Sequence, residues 1–166
     1  MGMDDQHRLE LICEAVRYCQ RAKSMGMPSR CWSKALREPI FFLWETRFTR
    51  LRVRAARYRS RAAKGLQHGK RSIVYDHAIP FRLQQEELLH LRPVEPATVR
   101  PVLERFAIAA IITTDEDRYL SKRFHNRMPP DWDGRDPLAR YHAVGIEMVD
   151  NEAFVGECSS DAQRLA

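Results

Sequence analysis

Tyr75-Asp76-His77-Ala78-Ile79-Pro80 and, further along, Phe106-Ala107-Ile108-Ala109-Ala110-Ile111-Ile112-Thr113-Thr114-Asp115-Glu116-Asp117 are the two stretches on which the fold of this chain turns. In the first, Ile73, Val74 and Tyr75 predict a strand over 72–79. Pro80, with no amide hydrogen for a ladder, stops it. In the second, residues 106–112 form a compact apolar run of the length of a buried strand. Thr114 followed by Asp115, Glu116 and Asp117 then predicts a helix start, because a hydroxyl can cap free amides and carboxylates are favoured at the positive end of the helix dipole. That helix should run to about Arg127 and stop at Met128-Pro129-Pro130.

Helices fill most of the rest. Leu9, Ile12, Val16 and Cys19, at spacings of three and four, predict an amphipathic helix over 5–23 that ends at Met25-Gly26-Met27-Pro28. Ser29 can cap a second helix over about 30–38. After Pro39 the run Ile40-Phe41-Phe42-Leu43-Trp44 is apolar on every side, and the Arg-, Ala- and Leu-rich sequence beyond it predicts helix for most of 40–63, broken at Gly65 and Gly69. A helix over 81–91, a linker framed by Pro93 and Pro96, and a helix near 97–105 separate the two decisive stretches. A loop over 131–137, a short helix over 138–144, a short strand over 146–149 and a fraying tail from Gly156 complete the reading. The predicted class is α+β, mostly helical with a small two-stranded core. A single domain is expected over 1–155, with a basic helical part at 1–71 and the two-stranded part at 72–155.

The length suits one domain, and 44% hydrophobic with 30% charged residues is a globular composition. No stretch approaches the roughly 18 uninterrupted apolar residues of a membrane span. Residues 1–10 lack the apolar centre of a secretory signal, so a cytoplasmic location and no membrane partner are expected. Cys13, Cys19, Cys31 and Cys158 contain no Cys-x-x-Cys pair. Neither a disulfide framework nor a cysteine zinc site is predicted, and Cys13 and Cys19, six apart on opposite sides of a helix, read as inert core or boundary residues.

The net charge of +6 is local. Residues 47–71 hold ten Lys or Arg and no acidic residue, while the remainder holds 18 basic against 22 acidic. Such a block repels itself unless it meets a polyanion, and phosphate backbones are the commonest inside cells. On one helix Arg47, Arg50, Arg54, Arg57 and Arg61 would form a stripe, with Lys64, Lys70 and Arg71 continuing the basic surface. Nucleic acid, DNA in the first instance, is the expected partner; an acidic protein, a homo-oligomer contact and a plain solvated face are the alternatives. Tyr58 could stack on bases or pack inward, and Trp44 and Phe48 are expected in the core. No base-reading motif is present, so contact with the backbone is expected.

Phosphodiester hydrolysis with one metal needs a carboxylate or amide to hold a hard cation and an imidazole to deprotonate water. Asp76 and His77 can supply both. Neighbours on a strand point to opposite faces, but at a frayed end both side chains can converge on one cleft. The plainer alternative is a hydrogen-bonded pair closing a strand. Here the sequence resembles the HNH, or ββα-metal, nucleases, in which Asp-His or Glu-His with a proline shortly after ends one strand, and a second strand leads into a helix bearing another ligand. Asp76, His77 and Pro80 match the first part, and Ile112-Thr113-Thr114-Asp115-Glu116-Asp117 is similar to the strand-to-helix junction.

The resemblance covers residues 72–127. It implies His77 as general base and Asp76 and Asp117 as ligands of magnesium or manganese, in a metal-dependent endonuclease or nickase acting on DNA. It also implies that 80–105 is an insertion, since the family joins its two strands by a short loop. His125 and Glu116 are secondary candidates for phosphate or metal contact, against a dipole-complementing histidine and a solvated carboxylate. The alternative function is a non-enzymatic nucleic-acid-binding or protein-interaction factor, of the phage or mobile-element accessory kind, on a degenerate nuclease scaffold.

Overall fold

A computed structural model describes residues 3–66 and 72–156. Gly69, Lys70, Arg71, Cys158 and the tail beyond 156 lie outside the described residues. In chain order the elements are α1 (Asp5–Ser24), α2 (Ser29–Pro39), a π-helical turn (Ile40–Glu45), α3 (Arg52–Ala55), β1 (Tyr58–Ser60), a 3-10 turn (Arg61–Ala63) and β2 (Ile73–His77). There follow α4 (Phe81–His90), α5 (Pro96–Phe106), β3 (Ala109–Thr113), α6 (Thr114–Phe124), α7 (Ala139–His142) and β4 (Met148–Asp150). Contacts gather them into two compact units that do not follow the 71/72 boundary expected from sequence. One holds the chain through Arg47 together with Phe81–Ala107, and the other holds Phe48–Pro80 together with the chain from Ile108 onward.

In the helical unit, Asp4 accepts the His7 amide at 2.7 Å and starts α1. Leu9, Ile12, Cys13, Val16, Cys19 and Ala22 form its buried stripe. Cys13 and Cys19 share that stripe instead of standing on opposite sides, because the stripe is broad. Burial raises both thiols, Cys19 to about 11, as befits inert core residues. Gly26, at φ 80, ends the helix in the left-handed region. Ser29 is the first residue of α2 and not its cap, the N-cap position being taken by Pro28. Pro39 cannot donate to the helical ladder, and beyond it the backbone rewinds as the π-helical turn, closed by the Thr46 amide on the Phe41 carbonyl at 3.0 Å. Leu88, Leu89, Val99 and Leu103 of α4 and α5 complete this core.

The helix expected over 40–63 does not continue past this turn. Residues 52–63 form one helical turn, a short strand and a 3-10 turn. Pairing partners override local helix propensity here: Tyr58 sits opposite Ala110 in a parallel ladder and opposite Asp150 in an antiparallel one.

The result is a four-stranded mixed sheet of order β2-β3-β1-β4, where a two-stranded core and a separate short strand over 146–149 were expected; that strand is β4, and β1 is the unexpected member. β2 and β3 are antiparallel, with Ile73 opposite Thr113 and His77 opposite Ala109. Alternation along β3 sorts the unit's core into two faces. Ala110 and Ile112 pack with Ala78, Leu120, Tyr141 and Ile146, the face covered by α6 and α7. Ala109 and Ile111 pack with Ala56 and Ala63, joined by Val53, Ile73 and Tyr75. A strand buried on both faces reads as a continuous apolar run, which is why residues 109–112 were legible.

The cap of α6 is Thr113, one residue before the expected Thr114. Its hydroxyl accepts the Glu116 amide at 3.2 Å, and Glu116 Oε2 accepts the Thr113 amide at 2.8 Å. The same Oε2 accepts the hydroxyl of fully buried Ser60 at 2.6 Å, tying β1 to the helix start. Glu116 is thus a structural acceptor. Glu116→Ala should lower stability by about 1–3 kcal/mol, because it leaves buried donors without an acceptor. Urea unfolding followed by circular dichroism measures it. Among the described residues no helix is long and apolar enough to cross a membrane.

Candidate functional site

The end of β2, the first turns of α6 and the short helix α7 meet on one face of the sheet. Asp76 lies on this face by the same alternation that puts Val74 there. Its Oδ2 accepts from Arg140 Nη2 at 2.7 Å and from the Tyr141 hydroxyl at 2.7 Å. Arg140 is buried and uses every nitrogen of its fork. Nε donates to the Ala78 carbonyl at 3.0 Å, Nη1 to the Phe124 carbonyl at 2.8 Å, and Nη2 also to the His77 carbonyl. One side chain therefore fastens the end of β2 to the end of α6. Burial, with the Asp76 charge adding to it, holds the Tyr141 phenol well above its ordinary range, so that it stays a donor.

Both hydrogen bonds to Asp76 fall on Oδ2. With the side chain 21% exposed and Oδ1 not among the buried unpartnered atoms, Oδ1 faces solvent. Asp117, half-buried in α6, accepts no side-chain hydrogen bond among the described residues. Burial raises its pKa first, then the Asp76 charge, against smaller opposing effects of His125, Arg140 and Arg118. Because the folded value is raised, the stability linked to the protonated carboxyl is complete below the ordinary carboxylate range and is lost as pH rises through the folded value. Asp117→Asn, measured with chelator present, should therefore raise the melting temperature at neutral pH. The gain should shrink as the pH falls and the wild-type carboxyl takes up its proton.

The structure thus brings Asp76 and Asp117 into electrostatic reach of each other, and His125, exposed at the C-cap of α6, acts on Asp117. It does not bring His77 to them. β2 remains regular through His77, so the expected convergence at a frayed end does not occur. The ring lies edge-on to Tyr75 at 5.9 Å, and alternation puts both on the opposite face from Asp76. Among the described residues no group of three or more His, Cys, Asp and Glu side chains gathers as a metal cage.

The basic residues also separate. Arg47 belongs to the helical unit, where it lies 4.0 Å over the buried Trp44 ring and 3.6 Å from Asp5. In the sheet unit, Arg61 pairs with Glu147 and Lys64 with Glu152 at 2.8 Å, acidic partners supplied from far along the chain. Arg57 lies 5.5 Å from the Tyr58 ring. Phe48, expected in the core, is 39% exposed. Arg50 and Arg54 border a cavity of about 710 Å³ lined also by Leu51, Arg52, Val53, Arg59, Gly65 and Leu66. The arginines are gathered by a fold and not by a helical stripe.

Sequence reasoning missed Arg140 and Tyr141 at the first site and Arg52 and Arg59 at the second. Helical spacing, the signal used, passes over 52 and 59. Compared with known protein families, curated proteins and solved structures, the chain matches none.

Proposed function

We propose that this protein is a divalent-cation-dependent phosphodiester hydrolase acting on nucleic acid, DNA in the first instance, with Asp76 and Asp117 as the cation's carboxylates. The observation that carries the reading is the Asp76–Asp117 pair at a strand–strand–helix junction. One carboxylate oxygen faces solvent, and the other group has no hydrogen-bond partner among the described residues and suffers its neighbour's charge. Hard oxygen donors suit magnesium or manganese, which proteins commonly hold by one or two carboxylates with waters and substrate phosphates completing the shell. Such an ion would stabilise the charge that develops on a scissile phosphate. Arg140 and Tyr141 hold Asp76 in one orientation, and the capping box sets the start of the helix that bears Asp117. The HNH-like sequence assigns the proton-accepting role to His77, but β2 keeps that ring beside Tyr75 on the other face, and the imidazole that acts on Asp117 is His125, which takes the role in this reading.

Purified protein incubated with supercoiled plasmid should relax or linearise it in magnesium or manganese and leave it intact in chelator. His125→Ala should bind the plasmid but not cut it, and His77→Ala should still cut it.

A second reading is a non-enzymatic nucleic-acid-binding factor on the same scaffold. It is favoured by the structural work Asp76 already does for Arg140 and by the placement of His77 on the other face. It expects salt-sensitive binding indifferent to chelation, with no cleavage under either condition.

A further inference from the structure

We propose that the cavity at residues 50–66 is a subsite for one unstacked nucleotide, which makes single-stranded nucleic acid the preferred ligand of the sheet unit; this rests on the nucleic-acid part of the function proposed above. The cavity's size falls within the few hundred to roughly 1,000 Å³ of small-ligand sites. Its chemistry has two parts. Leu51, Val53 and Leu66 give an aliphatic lining, and Leu51 is 60% and Leu66 38% exposed, so an apolar surface stands uncovered within a basic rim. Arg50, Arg52, Arg54 and Arg59 supply that rim, and no carboxylate is among the described residues that line the cavity.

Two details point to an anionic occupant. Arg50 and Arg54 have no acidic partner among the described residues, unlike Arg61 and Lys64 close by in sequence. The Nε of Arg59, on another lining residue, has no hydrogen-bond acceptor among the described residues. The walls are pinned: Asn151 Nδ2 donates to the Val53 carbonyl at 2.6 Å and the Ala56 carbonyl at 2.8 Å, and the Val155 amide donates to the Arg54 carbonyl at 2.9 Å. Gly65, at φ 79, makes the turn that brings Leu66 to the lining.

Concavity with an aliphatic lining distinguishes strandedness. A duplex offers phosphates on a convex surface with its bases stacked away, whereas a single strand can place a base against apolar side chains and guanidinium planes while arginines hold its phosphate. An acidic peptide would satisfy the arginines but has no flat apolar face to match the lining.

The test is fluorescence anisotropy of the full chain, in chelator, with labelled oligo-dT, oligo-U and a DNA hairpin duplex of equal phosphate count, and with oligo-glutamate as competitor. Oligo-dT or oligo-U should bind about tenfold or more tighter than the duplex. Arg50→Ala/Arg54→Ala, two exposed changes, should weaken single-strand binding about tenfold per arginine and reduce its salt slope by about 0.7 for each charge removed. Leu51→Ser should weaken single-strand binding while leaving duplex binding unchanged. A stronger response to oligo-dT or to oligo-U identifies DNA or RNA as the source of the nucleotide, and either supports the subsite. Equal affinity for duplex, unchanged binding by the variants, or displacement by oligo-glutamate as effective as by oligo-dT would overturn it. Metal-dependent plasmid cleavage together with unaltered binding by the cavity variants would sink the subsite and spare the hydrolase. Loss of single-strand binding in those variants without any cleavage would do the reverse.

Discussion

Arg140→Met is expected to destabilise the sheet unit by about 3–5 kcal/mol, the range for removing one partner of a buried, hydrogen-bonded ion pair. The guanidinium answers one carboxylate and three backbone carbonyls, and its side chain is 3% exposed. Methionine fills much of the volume but leaves the Asp76 charge and the Ala78 and Phe124 carbonyls without their donor. Arg140→Lys should recover only part of the loss, because a single ammonium cannot reproduce the fork. Asp76→Leu with Arg140→Met should be milder than Arg140→Met alone, since the stranded charge goes with its partner. Guanidinium unfolding of the four chains measures all of this. A loss below about 1 kcal/mol for Arg140→Met would place the pair with ordinary surface bridges and remove it as the clamp of this site.

The second large effect concerns catalysis. His125→Ala should reduce the initial rate of metal-dependent plasmid cleavage by about 10²–10⁴-fold, the usual contribution of a general base, with the affinity for uncut plasmid unchanged. Asp117→Ala should abolish cleavage to a similar extent, and more manganese should restore part of it, since the variant lacks a ligand and keeps the base. His77→Ala is the control that decides which imidazole acts. His125 acts on Asp117, whereas His77 lies beside Tyr75 on the face opposite Asp76. A full rate in His125→Ala with a collapse in His77→Ala would move the proton-accepting role to the strand end. A full rate in both would remove imidazole chemistry from the account.

Much of the strand–strand–helix unit was legible in the sequence because its signals are local. Pro80 punctuates one apolar run, an acidic turn follows the other, and both runs have strand length. Reading 80–105 as helices inserted between paired strands also succeeded, since α4 and α5 carry their own periodicity and prolines. What failed was non-local. β1 is three residues within a helix-favouring stretch, and its partners Ala110 and Asp150 lie far downstream, so nothing nearby announces a strand. The arginine stripe failed with it, because its phase was computed on a helix that residues 48–63 do not form.

Asp76 and Asp117 could be singled out as candidates because strand end and helix start are marked by composition. Arg140 was not, since nothing distinguishes it among the chain's 28 Lys and Arg residues as the one that reaches Asp76. The physical lesson concerns Asp76 itself. Sequence placed a carboxylate beside a histidine and read a shared cleft, whereas the folded chain gives that carboxylate a structural oxygen, Oδ2, and a solvent-facing one, Oδ1.

The measurement that bears most directly on the metal-dependent reading is a manganese titration of the full chain, following free manganese by electron paramagnetic resonance. The wild type should remove about one equivalent of manganese from solution, and Asp117→Ala, folded to the same extent by circular dichroism, should remove far less at the same concentrations. Equal uptake by the two proteins, or uptake by neither, would contradict a cation held by Asp76 and Asp117.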